Sequence, residues 1–435
     1  MSKRIERILL INPWIYDFAA YDFWIKPLGL LFLAASLRKL GKEVALIDCL
    51  DRHHPRLKGA VPTRQDGTGK YLRELLPKPA PLRSIARNYA RYGMPMQLFH
   101  SSLAGLPFTP DAVFVTSMMT YWYPAVRDCI AEVRKSLPGI PVYLGGVYAT
   151  LCPEHAARVC GADHVCQGWP DVKALAGRFM DGQCAGTGAS GIPRAAYDLY
   201  PELRSIALLT SLGCPHRCSY CASHLLTPFR FRRSPDEVFR EIRYWQTEKS
   251  IEHVAFYDDA LLEDAETGFK PLLRLIAGSG LDLDLHTPNG LSANAIDPEL
   301  ADLMFRARVR TVRLSYDFKV VRADFESALD NLQSAGYLRR AIGVYLLMGR
   351  PGQTVESLEE SVRYLHGLGV RVHLASYSPI PGTRECKESV RRGLWDSGAD
   401  PLLSNNSIYP LWRGSYGYSR CEQIRQWTRE LNEVL

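Results

Sequence analysis

Apolar and amphipathic segments alternate along the first 170 residues. The apolar segments have the length of β-strands, and segments with the period of a helix separate most of them; they read RILLIN, EVALID, DAVFVTS, PVYLGG and ADHVCQG. Strands that alternate with helices predict an α/β fold with a doubly wound parallel sheet. Ligands of such sheets bind beyond the carboxyl ends of the strands. The sequence has no G-x-G-x-x-G motif, so a dinucleotide site is not indicated.

A second alternating series starts near Arg204. Its apolar segments are separated by helical patterns of roughly 12 to 16 residues, and they read RSIALLTS, HVAFYD, LDLDLHT, VRTVRLS, AIGVYLLM and VHLASYS. Six strand–helix units in one direction predict a partial (β/α)6 barrel. The chemistry of such barrels lies at the carboxyl ends of the strands.

Glycine and alanine are concentrated in DGQCAGTGASGIP, residues 181–193, which favours a linker between the two series. The C-terminal segment shows no clear periodicity and contains many aromatic residues, and we expect it to cap the barrel. The predicted organisation is a sheet domain, a linker, a barrel and a tail, over residues 1–180, 181–203, 204–390 and 391–435.

The composition of the 435 residues is that of an ordinary globular protein, with 46% hydrophobic and 23% charged residues. No apolar run approaches the ~20 residues of a membrane span. The basic and then apolar start is short and no cleavage site follows it, so we expect a cytoplasmic protein. Eleven cysteines in such a chain argue against a disulfide framework and favour metal or cofactor binding.

Positive charge is concentrated in an insert over residues 52–110. The insert holds ten Lys or Arg residues and two acids, and the net charge of the whole chain is +7. A solvated basic face would explain this pattern, and so would attraction of an anionic substrate, a cofactor phosphate or RNA. Arg83, Arg87 and Arg91 recur every four residues, which predicts a short amphipathic helix. No RNA-binding module accompanies the charge, so nucleic acid is not the expected partner.

Three cysteines, Cys214, Cys218 and Cys221, directly follow the first strand of the second series. Thiolates on a tight loop at the catalytic end can hold one metal cluster, and three ligands would leave one iron of a 4Fe-4S cluster open. A zinc site would need a fourth ligand, which His216 or His224 could supply. Three buried structural thiols fit poorly with the polar residues around them.

The motif C-x-x-x-C-x-aromatic-C after the first strand of such a series resembles the radical S-adenosylmethionine (SAM) superfamily. Further similar segments are FYDDALLED, HTPNGLSANAID, LLMGRPGQTVESLEE and YSPIPGTRE. The resemblance implies that SAM chelates the open iron and that one-electron reduction, from a donor such as flavodoxin or ferredoxin, cleaves it to a 5′-deoxyadenosyl radical. The similarity covers the second half of the chain.

The resemblance also assigns roles to residues. Cys214, Cys218 and Cys221 would hold the cluster, and the other residues would bind SAM: Tyr220 against the adenine, Asp258 or Asp259 on the ammonium, Asn289 at the end of the third strand, and Ser315 on the ribose or carboxylate. A helix cap is the alternative role for the Asp pair. The turns RPGQT and IPGT are explained equally well by turn chemistry alone.

The first domain resembles the Rossmann-type cobalamin-binding domain that precedes many radical SAM barrels, through TSMMTYW and YLGGVYATLCPEHA. The implied cobalamin residues are Asn12, Thr116, Ser117, Met118, Met119, Gly145, Gly146, Tyr148 and Gly168. Two departures are Tyr148, where such domains often have His, and GWPD, where they often have GEGE. In the alternative, the sheet persists but corrin binding is lost.

A further expectation concerns the ligand on the lower face of the cobalt. Several such domains supply a histidine from D-x-H-x-x-G after the first strand, but this chain has only DRHHPR after the second strand. We therefore expect cobalamin with its lower base displaced and no histidine on cobalt. Tyr148 or a water would be the nearest group.

We interpret the chain as a cobalamin-dependent radical SAM enzyme, for which methylation of an unactivated carbon in a small molecule or peptide is the commonest reaction. Cyclisation or rearrangement is an alternative, and so is a non-catalytic SAM and iron–sulfur binding protein. Cys152, Cys160 and Cys166 raise the rival hypothesis of a second cluster, as in methylthiotransferases. Cys160 and Cys166 are at positions typical of a core, where unpaired cysteine is common.

Overall fold

The structure, a computed structural model, divides into two compact units, and it describes residues 5–169, 192–317 and 320–435. The first unit comprises Met1–Leu203, Ala222–Phe229 and Ala399–Ser404. The second unit comprises Arg204–Cys221, Arg230–Gly398 and Asn405–Leu435.

The main boundary falls between Leu203 and Arg204, where the sequence predicts that the barrel begins. The predicted linker lies partly outside the described residues, and its later part, residues 192–203, is counted with the first unit. Tyr200 explains this placement, because its buried hydroxyl donates a 2.6 Å hydrogen bond to Asp48 of the same unit.

The strands of the first unit are β1 (Arg7–Asn12), β2 (Ile15–Asp17), β3 (Tyr21–Asp22), β4 (Glu43–Asp48), β5 (Gly69–Lys70), β6 (Arg73–Leu76), β7 (Tyr89–Tyr92), β8 (Ala112–Val115), β9 (Val142–Leu144) and β10 (His164–Val165). Its helices are α1 (Leu28–Lys39), α2 (Met96–Ala104), α3 (Tyr123–Ser136), α4 (Val147–Leu151), α5 (Pro153–Val159) and α6 (Ser223–Leu226).

Five of these strands form the parallel sheet that the sequence predicts, in the order β10-β9-β8-β1-β4. The interior strand β1 is apolar on both faces: the side chains from Ile8 to Ile11 are fully buried, as expected for a strand covered on both sides. The chain leaves β1 toward β4 and later adds β8 on the other side. The switch point of the sheet therefore lies between the carboxyl ends of β1 and β8, where open α/β sheets bind their ligands.

The basic insert contributes to a second, antiparallel sheet in the order β2-β7-β6. The predicted amphipathic helix is therefore wrong at residues 89–92, which form the central strand β7. Pairing with β2 and β6 satisfies the backbone hydrogen-bonding groups of β7 on both edges. Arg91 in this strand is buried, and its guanidinium pairs with Glu74 and lies 5.5 Å from the ring of Trp14. The spacing of the arginines coincides with a helical period but does not reflect one.

An ionic network is buried beside this insert. Arg52 Nε donates to Asp22 at 2.8 Å, and Lys26 Nζ lies 3.9 Å from Asp51. Asp48 adds a third buried carboxylate. Burial raises the pKa of Asp51 to about 6; the positive charge of Lys26 opposes this rise, and the carboxylates of Asp48 and Asp22 add to it.

This network makes stability depend on pH. Asp51 binds its proton more tightly in the folded chain than in the unfolded chain, whose carboxyl titrates near 3.8. Asp51 therefore contributes to the free energy of unfolding at low pH. This contribution, about 3 kcal/mol, is lost as the pH rises from 4 through about 6.

We expect Asp51→Asn to remove this dependence. In urea unfolding between pH 4 and pH 7.5, the variant should gain about 3 kcal/mol relative to the wild type as the pH rises. Parallel pH profiles for the two proteins would show that Asp51 titrates normally.

The second unit contains strands β11 (Ser205–Leu208), β12 (Ser211–Leu212), β13 (Phe231–Arg232), β14 (His253–Phe256), β15 (Asp284–His286), β16 (Val309–Thr311), β17 (Arg313–Tyr316), β18 (Gly343–Met348) and β19 (Arg371–Ser376). Its helices are α7 (Pro235–Lys249), α8 (Phe269–Gly278), α9 (Pro298–Arg306), α10 (Arg322–Ser334), α11 (Val355–Gly367), α12 (Arg384–Arg391), α13 (Trp412–Tyr416) and α14 (Tyr418–Glu433).

These strands form the partial barrel in sequential order. Parallel pairing runs β11-β14-β15-β16 and then β17-β18-β19. β16 and β17 are two halves of the fourth strand, separated by Val312. An isolated parallel bridge pairs Leu314 of β17 with Leu291, which follows β15. Helix α7, which follows the first strand, begins with a capping box between Ser234 and Glu237.

The C-terminal tail is more regular than its sequence indicates. Helix α14 packs beside β19, the last strand of its sheet. The Asn432 side chain makes two 2.8 Å hydrogen bonds to the backbone N–H and C=O of Val372. The tail thus covers a strand edge that would otherwise expose backbone groups. Among the helices of the described ranges, none has the length and apolar character that a membrane span needs.

Candidate active site

The three cysteines lie on a loop at the carboxyl end of β11. We call residues 213–221 the cysteine loop. Its base is an antiparallel pair in which Ser211 and Leu212 face Arg232 and Phe231. The loop starts at Gly213, whose φ of +76° is one that side chains rarely adopt. All three cysteines are partly buried.

Asp258 ties this loop to the neighbouring strand. It follows β14 and is 2% exposed. Its carboxylate accepts hydrogen bonds from the N–H groups of Thr210 and Ser211 at 3.0 and 2.7 Å, and from both of their hydroxyl groups at 2.7 Å. Asp258 therefore holds the start of the loop. The sequence predicts an ammonium ligand or a helix cap at this position, and the structure gives the carboxylate a different use.

The donor set fits a cluster better than a zinc ion. In the described ranges, no group of three or more His, Cys, Asp or Glu side chains is arranged to hold a single metal ion. Zinc needs four ligands about one point, whereas each cysteine of a 4Fe-4S cluster binds a different iron, so the thiolates stay apart. His216, a candidate fourth zinc ligand, has a 60% exposed side chain that lies 3.7 Å from Glu263.

The Cys214 thiol is favoured over its thiolate when no metal is bound. Burial raises the pKa of Cys214, and the charge of Asp259 and the other two thiols add to this effect. Metal ligation by cysteine requires the thiolate, so loading of the site releases protons.

The remaining predicted SAM residues end neighbouring strands of the barrel. Asp259 is exposed and lies close enough to Cys214 for its charge to act on that thiol. Asn289 donates its amide N–H groups to the carbonyls of Tyr257 and Asp258 at 3.1 Å. The Ser315 hydroxyl donates a 3.2 Å hydrogen bond to the carbonyl of Leu291, which closely follows Asn289 in the sequence. Of Asp259, Asn289 and Ser315, only Asp259 has an exposed and charged side chain.

Tyr220, between the second and third cysteines, is held at both its hydroxyl and its ring. The hydroxyl donates to Asp317 at 3.1 Å and also contacts the Cys218 thiol. The Arg350 guanidinium lies 5.4 Å from the ring centroid. Arg350 therefore covers part of the aromatic surface that the sequence assigns to adenine.

Three residues of this region are not among those predicted from the sequence: Asp317, Arg350 and Glu385. Arg350 donates from Nε and Nη2 to Glu385 at 3.1 and 2.8 Å, and Glu385 N donates to Ser219 O at 2.9 Å. Arg350 lies in RPGQT, for which turn chemistry is the alternative, and Glu385 ends the segment YSPIPGTRE. The RPGQT turn is indeed built that way, because Gln353 accepts from the N–H of Gly349 at 2.7 Å.

The predicted corrin residues lie at the carboxyl edge of the parallel sheet in the first unit. Ser117 donates to Gly145 O at 2.6 Å, and Val147 N donates to Ser117 O at 2.7 Å. A Cβ at Gly146, whose φ is +94°, would stand 2.3 Å from Ser117 O. Gly146 is thus required for the two strand ends to meet, and Gly145 has only Cys166 O within 4 Å and is open to a ligand.

Other members of this set differ in accessibility. Met119 is 42% exposed, and Thr116 and Met118 are partly exposed. Asn12 is buried and donates to Asp48 at 2.7 Å. Gly168, with φ +73°, donates its N–H to the Thr150 hydroxyl at 2.9 Å. An open glycine beside exposed methionines at the switch point fits a large flat ring.

Tyr148, which follows the glycine pair, is held within the core of the first unit. Its side chain is fully buried, and its hydroxyl lies 2.6 Å from His155 Nδ1 and accepts from the Cys160 thiol at 3.6 Å. Its ring stacks on Tyr123 at 5.8 Å. The phenol is therefore part of the core, which favours the other predicted group, a water, at the lower face of cobalt. Cys160 is a core position, as expected.

Comparisons with known proteins give matches to both parts of the chain. A family model for the radical SAM superfamily matches residues 208–365, and one for the B12 binding domain matches residues 107–175. An uncharacterized methyltransferase of Pyrococcus horikoshii is 24% identical over 78% of this chain and 80% of its own length. The cytidylyl-2-hydroxyethylphosphonate methyltransferase of Streptomyces wedmorensis is 23% identical over 91% of this chain and 84% of its own length.

Solved structures show the same fold. Two structures of the radical SAM methyltransferase TsrM from Kitasatospora setae match with a TM-score of 0.63 at 18% and 19% identity. They cover 92% of this chain, and the match spans 80% and 82% of theirs. One contains tryptophan substrate and the SAM analogue aza-SAM, and the other contains cobalamin and a 4Fe-4S cluster. With residues 208–365 matching the radical SAM superfamily and residues 107–175 matching the B12 binding domain, the findings support a cobalamin-binding radical SAM protein.

Proposed function

We propose that the protein is a cobalamin-dependent radical SAM methyltransferase that methylates an unactivated carbon of a small molecule or peptide. The observation that carries the proposal is the presence, in one chain, of the cysteine loop at a barrel edge and of an open parallel-sheet edge, each within a matching family model. Both curated relatives are named methyltransferases, and the TsrM structures contain the same kinds of cofactor.

In this proposal, Cys214, Cys218 and Cys221 hold the cluster. Asp259 accepts a hydrogen bond from the SAM ammonium, since Asp258 is committed to the loop. When bound, the cluster and SAM supply the carbon radical and cobalamin supplies the methyl group; the protein orients them and excludes water. Flavodoxin or ferredoxin would supply the electron.

In the first unit, the corrin would lie over Gly145, with Met118 and Met119 beside it. No histidine on cobalt is expected, and the burial of Tyr148 leaves water as the lower-face group. Of the ten basic side chains in the insert, Arg52 and Arg91 are buried in ion pairs and six are exposed. The exposed ones are available to attract an anionic substrate.

Product analysis tests the function without knowledge of the substrate. Anaerobically reconstituted protein is mixed with SAM and a strong reductant, with and without cobalamin, and the products are measured by mass spectrometry. We expect 5′-deoxyadenosine in both samples and S-adenosylhomocysteine, the product of methyl loss, only with cobalamin. Formation of 5′-deoxyadenosine alone would favour cyclisation or rearrangement, and formation of neither from iron-loaded protein would favour a binding protein.

A further inference from the structure

We propose that Arg350 and Glu385 are positioning residues that clamp the cysteine loop from the ends of the fifth and sixth barrel strands. The inference rests on the proposed function, because it concerns how this chain orders the loop that would hold the cluster. Arg350 follows β18, and Glu385 lies in the first turn of α12, which follows β19.

The clamp contacts the loop at three points. Arg350 covers the ring of Tyr220, whose hydroxyl donates to Asp317. The Glu385 N–H donates to Ser219 O at 2.9 Å. Beside it, Arg384 Nη2 donates to the carbonyl of Arg217 at 2.6 Å. All three contacts fall within or beside the segment between the second and third cysteines, so they order the part of the loop that carries two thiols.

The pair at the centre of the clamp is shielded from solvent. The Arg350 and Glu385 side chains are 17% and 9% exposed, and both guanidinium contacts are to the same carboxylate oxygen. The other oxygen, Oε2, is buried and has no hydrogen-bond partner among the described residues. A buried acceptor without a donor lowers stability. The described contacts of this carboxylate therefore serve Arg350, the side chain that covers Tyr220.

The arrangement requires arginine and not only a positive charge. One planar group makes two hydrogen bonds with its edge and covers an aromatic ring with its face, which the ammonium of lysine cannot do. Lysine at this position would keep the charge but would not order Tyr220. The orienting effect and the electrostatic effect of the clamp can therefore be separated by substitution.

The first experiment uses the protein without cofactors. Arg217 is exposed and is followed directly by Cys218, so trypsin cleavage there reports opening of the loop. We expect Arg350→Gln and Arg350→Lys to increase the rate of cleavage at Arg217 about tenfold, because two charge-assisted hydrogen bonds are lost or misaligned. Arg391→Gln is the matched control: it breaks an exposed pair with Glu388 on the same helix, and it should leave the rate unchanged.

The second experiment measures the midpoint potential of the reconstituted cluster by redox titration with electron paramagnetic resonance. Charge near a cluster shifts its potential. Arg350→Gln should therefore lower the potential, Glu385→Gln should raise it, and Arg350→Lys should leave it near the wild-type value. A purely structural role would move the two glutamine variants in the same direction. The KM for SAM should rise in Arg350→Lys even though its potential is retained.

Unchanged trypsin cleavage in both Arg350 variants, or equal shifts of potential in the two glutamine variants, would overturn the clamp. A wild-type protein that fails to bind iron would instead refute the proposed function. The cleavage comparison needs no cluster, so it would still decide whether the clamp exists.

Discussion

Replacing Asp258 by alanine should destabilise the second unit and impair cluster assembly. The carboxylate is buried, and it accepts hydrogen bonds from the N–H groups and hydroxyls of Thr210 and Ser211, which are themselves 6% and 7% exposed. In the variant, two buried backbone donors at the start of the cysteine loop have no acceptor. Each unsatisfied donor costs about 1–3 kcal/mol, so we expect a loss of about 3 kcal/mol in the free energy of unfolding.

Urea unfolding and iron content after anaerobic reconstitution measure the two effects. The neighbouring variant Asp259→Ala is the matched control, because Asp259 is exposed. It should leave stability and iron content unchanged and weaken SAM binding about tenfold to a hundredfold, through loss of one charge-assisted bond of ~1.5–3 kcal/mol. If Asp258→Ala retained full stability and iron while losing SAM affinity, Asp258 would be the ammonium ligand and the loop-holding role would be wrong.

The largest loss of activity is expected when Cys214, Cys218 and Cys221 are replaced together by alanine. A cluster bound by these thiolates cannot assemble without them, so iron content should fall from about four per chain to near zero. Formation of 5′-deoxyadenosine should stop, because no electron would reach SAM.

The control for this change is the triple replacement of Cys129, Cys160 and Cys421. These thiols are buried, and burial raises the pKa of each. Any loss of stability in the control shows the effect of removing core thiols, and its iron content should stay at the wild-type level. Iron that survives in the loop variant and disappears in the control would reverse the ligand assignment.

The sheet and barrel follow from local patterns in the sequence. The fully buried run from Ile8 to Ile11 and the Ser234 capping box are features of a few consecutive residues, and both are found in the structure. The predicted helix at residues 81–93 fails for the same reason: a spacing of four between arginines is a local pattern, but the pairing of β7 with β2 and β6 is not. Contacts distant in sequence decided that element.

The cysteines could also be predicted, because their spacing is compact and chemically unusual. The groups that hold them could not. Asp258 meets Thr210 across 48 residues, Tyr220 meets Asp317 across 97, and Arg350 meets Glu385 across 35. A local sequence pattern does not predict which distant residues such side chains contact. The segments that contain them could be recognised as strand ends, but their partners are defined only by the barrel.

Tyr148 illustrates the same limit in the first unit. Its position after the glycine pair suggests contact with a ligand, yet its hydroxyl is satisfied by His155 and its ring by Tyr123. Sequence position gives the strand end at which a residue lies but not the face it presents. Gly146, by contrast, is explained by the close approach of Ser117 O, a steric reason that no neighbouring residue reveals.

The most direct test of two cofactors in one chain is the metal content of the anaerobically reconstituted protein, measured together with its absorption spectrum. We expect about four irons and about one cobalt per chain, with the broad absorption of an iron–sulfur cluster beneath the bands of a bound corrin. Protein that retains iron but never cobalt would contradict the cobalamin assignment, and protein that takes up zinc in place of iron would contradict the cluster as well.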